Sequence, residues 1–212
     1  MSPGRLARRS VVEFQTVLKR RRMVRAFEQR PVPHEVLYPI VRSVLHAPSA
    51  GFTQGNEFLV LDDPGRLDTF WRITAMPDEP ETEEERAVRP PILILPLANQ
   101  QSYTDRYSAP DKIRFGLDKP EAWPVPYWDI DAGMAALLLL LSAVDAGLGA
   151  YFFGIVDGEP ELRREFKIPD PFRPIGAIGL GYPASNDPWV ARSSAARLTR
   201  RPIEDLIHRN DW

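Results

Sequence analysis

Apolar residues are more continuous between positions 128 and 150 than anywhere else in the chain, and from 132 to 144 they cover every side of a helical wheel. That pattern predicts one long helix enclosed all round, by the rest of its own domain or by a second subunit. Asp129 and Asp131 stand where a helix N-terminus favours acceptors and negative charge, Ala and Leu fill the interior, and Gly147 and Gly149 supply the stop. A bilayer span needs roughly 20 apolar residues. The uncharged run is about two-thirds of that length and has acids at both ends, which favours a buried helix and no membrane partner.

The remaining pattern alternates short helices with short strands. Ser10 and Glu13 are spaced as a capping box, and Val11, Phe14, Val17, Leu18 and Arg21 recur at helical spacing, predicting a first helix over 11–22. Leu37, Ile40, Val41, Val44 and Leu45 form one face of a second helix within 33–46, which Pro39 should bend or delay by removing a backbone donor. Apolar runs bounded by turn residues predict strands at 58–61, 91–95, 151–156 and 175–181. Leu67, Phe70, Trp71 and Thr74 mark another helix, and Leu162 and Phe166 a further one opened by residues 157–160. Residues 77–85 read as an acidic surface segment. Residues 99–127 carry Tyr103, Tyr107, Phe115, Trp123 and Tyr127 without a period, as either a lid over a ligand site or a surface excursion would. No repeat or linker divides the 212 residues, a length that suits one domain spanning 1–212.

Composition narrows the chemistry. With 27 basic and 29 acidic side chains, the net charge of -2 gives no general attraction for nucleic acid. Zero cysteines exclude disulfides, zinc-thiolate sites and thiol nucleophiles, and fit a cytoplasmic protein, as does a positively charged N-terminus with no apolar core behind it. Hydrolytic readings lack parts: there is no Gly-x-Ser-x-Gly and no paired-histidine metal motif, and His34, His46 and His208 lie in unrelated places. Gly176, Gly179 and Gly181 imitate a dinucleotide fingerprint, but Tyr182, Pro183 and a polar loop follow where that fingerprint needs a helix.

Two arginine clusters at opposite ends of the chain remain, with a loop of small residues over 47–56 that lets backbone approach a ligand. Lys19, Arg20, Arg21, Arg22 and Arg25 are either a solvated basic face or an anion site. The alternation of Arg21 and Arg25 with Met23, Val24 and Phe27 favours the anion site. Together with the aromatics, these features suit a planar ligand carrying a phosphate: guanidinium forks grip the dianion, backbone amides meet the polar edge of the ring, and apolar walls take its faces.

In order and spacing these pieces resemble the nitroreductase superfamily of FMN-dependent oxidoreductases over nearly the whole chain. The matching pieces are residues 21–27, residues 47–54 followed by Phe58, the helix beginning Asp131, Ala132, Gly133 and Met134 and ending at Gly147 and Gly149, residues 152–155, and residues 200–208. The resemblance implies an α+β, three-layer fold with a central, mostly antiparallel sheet flanked by helices. It also implies an intertwined homodimer with two FMN sites between subunits, and a C-terminal extension over 184–212. By the same resemblance Arg21 holds the phosphate and ribityl end, Arg22 contributes backbone contacts, and Arg25 lies near the ribityl or pyrimidine edge, where a cation favours the reduced, anionic flavin. Met23, where many members carry Ser, belongs to the same motif. Pro48, Ser49, Ala50 and Gln54 match the loop that faces the flavin from the other subunit. Phe152, Phe153 and Gly154 match the strand end near the N5 side, and Arg200 and Arg201 match C-terminal phosphate contacts.

The implied activity is transfer of hydride from NAD(P)H through FMN to a nitro, quinone or similar small-molecule acceptor, with no metal and no protein acid or base as catalyst. Phe52 replaces a common Asn and makes its wall more apolar, and Tyr107 and Trp123 join it as candidate acceptor contacts. A superfamily relative that destroys its own reduced flavin to make dimethylbenzimidazole shares the Gly51 and Phe52 pair but carries Asp at the Met23 position, so the same reaction is not expected. A deazaflavin donor, another acceptor, or a flavin sensor without turnover are the competing readings.

Overall fold

A computed structural model of the chain describes residues 13–75, 81–186, 188 and 198–212. Its centre is β2 (Ile92–Asn99), buried along its whole length. Its side chains alternate between two apolar layers: Ile92 and Ile94 enter one cluster, Leu93, Leu95 and Leu97 the other. A strand covered on both faces has no polar positions to spare, which is why it reads as a continuous apolar run.

The sheet around it is antiparallel in every described pairing. β1 (Asn56–Leu61) lies on one side, and β3 (Gly149–Phe153), β4 (Phe172–Pro174) and β5 (Ala177–Gly181) complete it in the order β1-β2-β5-β3, with β4 pairing the far end of β2. The strand expected over 175–181 is β5, which begins at Ala177; β4, just before it, was not expected, and between the two the Ile175 N–H still donates to the Pro96 carbonyl of β2.

One face is covered by α2 (His34–Arg42) and α6 (Tyr127–Asp145), the other by α3 (Pro64–Ile73) and α7 (Glu159–Glu165), giving the three layers expected. Pro39 sits exposed inside α2 without delaying its start; the helix tightens into a 3₁₀ turn only at Ser43–His46. Smaller helices are α1 (Phe14–Arg20), α4 (Glu83–Ala87), opened by a Thr82 and Glu85 capping box, and α5 (Gln100–Tyr107). The acidic stretch therefore holds a helix turn, and the aperiodic 99–127 segment begins with a full helix. Ser10 and Val11 lie outside the described residues.

α6 differs from its sequence reading in three ways. Within one chain it is enclosed on one side only: Asp131, Ala132, Ala135, Ala136, Leu139, Leu140 and Ala143 are buried, while Ile130, Met134 and Leu137 face out. Neither aspartate caps it; Asp129 pairs with Arg173, and Asp131 turns into the core. Gly147 ends it in a left-handed conformation with Leu148 N–H bonded back to the Ala143 carbonyl, whereas Gly149 already belongs to β3. By length and composition alone α6 could cross a membrane. Its packing on β2 and β3 makes it the core helix of a folded domain.

Candidate functional site

α1 ends at Arg20 with Arg21 as its extended cap, and the chain then runs along the free edge of β3: Met23 bridges Ala150 in parallel, Val24 N–H donates to the Ala150 carbonyl, and Phe27 bridges Pro183. Ala26 and Phe27 are buried, Arg21 and Arg25 half-buried, Arg22 and Met23 exposed. The basic run is therefore anchored by its apolar neighbours, as the alternation suggested. Among the described residues no carboxylate pairs with Arg21, Arg22 or Arg25. Half-buried guanidinium groups on a fixed backbone and without an internal anion are suited to an external one.

The second piece is the loop of small residues before β1. Ala50–Phe52 form a 3₁₀ turn, and Gly51, Phe52 and Gln54 have φ of 62°, 54° and 53°. Left-handed backbone at two residues that carry a Cβ costs roughly 1–2 kcal/mol each, so the surroundings must impose it. They do so with named bonds. Ala50 N–H donates to Asp131 Oδ2 at 2.8 Å, Gln54 N–H to Ser49 Oγ at 3.0 Å, and Arg106 Nε to the Gly51 carbonyl at 3.0 Å. The Ala50 amide is thus spent inside the chain and is not among the groups that could meet a ligand edge. Pro48, Phe52 and Gln54 stay exposed, Phe52 at 76 %.

Asp131 and Tyr103 were not singled out for this role by the sequence, because an aspartate near a helix start has the ordinary reading of a charge favouring the N-terminus. Asp131 is 1 % exposed, and the same Oδ2 accepts the Tyr103 hydroxyl at 2.7 Å. Burial, reinforced by that carboxylate, holds the Tyr103 hydroxyl far above the usual tyrosine range, so it remains a donor. Arg106 in turn is forked onto Asp111, whose carboxyl it holds down at about 2.

Trp123 lies at 8 % exposure in a cluster with Tyr103, Tyr107, Tyr127 and Trp128, its Nε1 donating to the Leu117 carbonyl. Most of the Trp123 ring is therefore taken up by packing within that cluster. Tyr107 is half-buried beside Gly51, where an added Cβ would fall 2.9 Å from its ring. On β3, Phe152 joins the α6 layer, while Phe153 stacks on both Tyr151 and Trp71 at 4.9 and 5.6 Å; Gly154 is exposed. Arg200 and Arg201 are exposed on a tail whose described hydrogen bonds and ring contacts are all internal to it.

One chain does not bring these pieces together. The arginine segment flanks β3 and the loop precedes β1, the opposite edges of the sheet. α6 measures the gap: Asp131, under the loop, and Asp145, at the helix end that leads into β3 and its Ala150 bridge to Met23, are separated by about 21 Å of helix rise.

Comparison with known proteins follows this geometry. The family model described as Nitroreductase family matches residues 18–182. An iodotyrosine deiodinase of Nematostella vectensis is 28% identical over 207 residues, covering 92% of this chain and 74% of the relative. A Methanothermobacter thermautotrophicus protein with an inferred NADH dehydrogenase/NAD(P)H nitroreductase name is 27% identical over 189 residues, covering 86% and 82%. A Desulfovibrio desulfuricans structure, described as an inferred nitroreductase in complex with FMN, superposes with a TM-score of 0.64 at 25% identity, covering 94% of this chain and 97% of that one.

Proposed function

Because the chain belongs to the nitroreductase family, an oxidoreductase family, we propose that it is an FMN-dependent enzyme acting as a homodimer, with reduced nicotinamide as donor and a small electrophilic molecule as acceptor. What supports this reading is the separation just described: an arginine segment without a described carboxylate partner and a pre-shaped loop lie at opposite edges of the sheet with about 21 Å of α6 between them, so two walls of one pocket would come from two copies.

In that pocket Arg21 holds the phosphate, with Arg200 and Arg201 of the exposed tail as further contacts. Arg25 places positive charge toward the ring, and Pro48, Ser49 and Gln54 close the opposite wall. FMN supplies the hydride chemistry when bound. The chain's own residues bind it, exclude water and present apolar surface to the acceptor, Phe52 foremost. A nitroarene or quinone is the first acceptor class. An iodinated phenol is the second, favoured by the likeness to an iodotyrosine deiodinase over nearly the full chain.

The test is the visible spectrum of the purified protein with added FMN, then anaerobic titration with NADH, NADPH and a reduced deazaflavin. Bound flavin bleached by a nicotinamide and re-oxidised by a nitroarene, quinone or iodotyrosine supports the reading and ranks the acceptors. Bleaching by deazaflavin alone moves the donor to that class. Flavin that no donor reduces indicates a sensor, and a protein that takes up no FMN overturns the reading.

A further inference from the structure

The geometry points to Asp131, with Tyr103, as a positioning residue that holds the 49–54 loop in its left-handed shape and so sets how the loop and the Phe52 ring meet the flavin and its acceptor; this rests on that loop being the cofactor wall. Three observations converge. Asp131 is 1 % exposed at the N-terminal end of the buried side of α6, where a carboxyl group is expensive to keep, and no described cation pairs with it. Its Oδ2 accepts from both the Ala50 amide and the Tyr103 hydroxyl, so one oxygen ties the loop to α5 and α6 together. The residues immediately after Ala50 are the strained ones, Gly51, Phe52 and Gln54.

The tie acts on the start of the turn. With Ala50 N–H fixed from below, the Phe52 amide donates to the Ser49 carbonyl and the Thr53 amide to the Ala50 carbonyl, and the turn closes with Phe52 outward. Arg106 Nε holds the Gly51 carbonyl from the other side. An aromatic side chain in a left-handed conformation and almost fully exposed gains little for the stability of its own chain. Backbone strain held in place by a buried carboxyl group beside an exposed aromatic ring suits a binding surface better than a mere connection.

The experiment compares Asp131→Ala, Asp131→Asn and Tyr103→Phe in the FMN-loaded protein by amide hydrogen exchange, FMN titration and acceptor kinetics, with the FMN-free wild type as control. Asp131→Ala is expected to speed exchange at residues 50–54 by about tenfold or more while the β2 amides keep their protection, to weaken FMN by about tenfold, and to raise the acceptor KM more than it lowers kcat. Asp131→Asn is expected to recover most of this, because one amide oxygen can accept both bonds. Tyr103→Phe, which keeps the ring and loses one donor, should fall between. The proposal is overturned if exchange at 50–54 is unchanged in Asp131→Ala, if β2 loosens in parallel, or if Asn is no better than Ala. A wild type that takes up no FMN would sink the flavin reading by itself, while the exchange comparison would still report whether Asp131 holds the loop.

Discussion

Tyr103 and Tyr151 are each held in the neutral form by burial, Tyr103 with Asp131 against its hydroxyl and Tyr151 with Glu81 nearby, and both are pushed well above the ordinary value of 10.0. A raised folded-state value gives stability that is complete below pH 10 and is lost as pH rises above it, because only the unfolded chain can then release those protons. Urea midpoints measured between pH 8 and 11 should fall above about pH 10, by up to about 1.4 kcal/mol per pH unit for each tyrosine. Replacing both by Phe should flatten the slope; an equally steep loss in that double variant would show that other groups carry it. The same single-residue scale applies to the ligand. Arg21 is half-buried with no carboxylate partner among the described residues, so Arg21→Ala should cost about 1.5–3 kcal/mol of FMN affinity, read by titration, with little change in the urea midpoint.

At the scale of elements, β5 explains its own glycines. Gly179 stands directly opposite Tyr151 in the antiparallel pair, and a Cβ there would lie 2.3 Å from Tyr151 Cε1 and 2.9 Å from Pro90 Cγ. The glycine is the floor on which the Tyr151 and Phe153 stack rests, so Gly179→Ala should destabilise by about 1–3 kcal/mol in urea unfolding, while Gly154→Ala, which meets nothing within 4 Å, should not. This also shows what a linear reading can recover. β2 and β5 were legible because burial on two faces leaves an unbroken apolar run, and β3 and α6 because their residues are apolar even where a single chain leaves them part-exposed. α5 was not: its sequence is polar except at Tyr103 and Tyr107, and Tyr103 earns its buried place through a bond to Asp131, 28 positions later. β4 is three residues that hold their pairing only because β2 extends past β5. The arginine segment was readable from its alternation with apolar neighbours. The support beneath the loop was not, because a lone aspartate near a helix start has the ordinary reading of a charge favouring the N-terminus.

At the scale of the molecule, the outer row of α6 decides what the chain needs. Ile130, Met134 and Leu137 are exposed on a helix otherwise made of core residues, and α1, packed on α6, adds exposed Phe14 and Leu18. Exposed apolar residues of this kind on a folded domain are suited to a second copy, and the two walls of the proposed flavin pocket, on opposite edges of the sheet, would call for one. Assembly and cofactor binding are then linked: whatever factor FMN gains from the dimer, the dimer gains from FMN. Met134→Glu with Leu137→Glu would bury two charges in that contact, which desolvation strongly opposes. Sedimentation should find this variant monomeric at concentrations where the wild type is dimeric. Its FMN affinity should fall with the loss of the dimer, and saturating FMN should shift the wild type toward dimer on dilution. Both substituted side chains already face solvent in the single chain, so the urea midpoint of the monomer should change little beyond the loss of the dimer's own contribution. If a stable monomer of this variant bound FMN as tightly as the wild type, the arginines and the loop could not be two walls of one site, since about 21 Å of α6 keeps them apart within a chain.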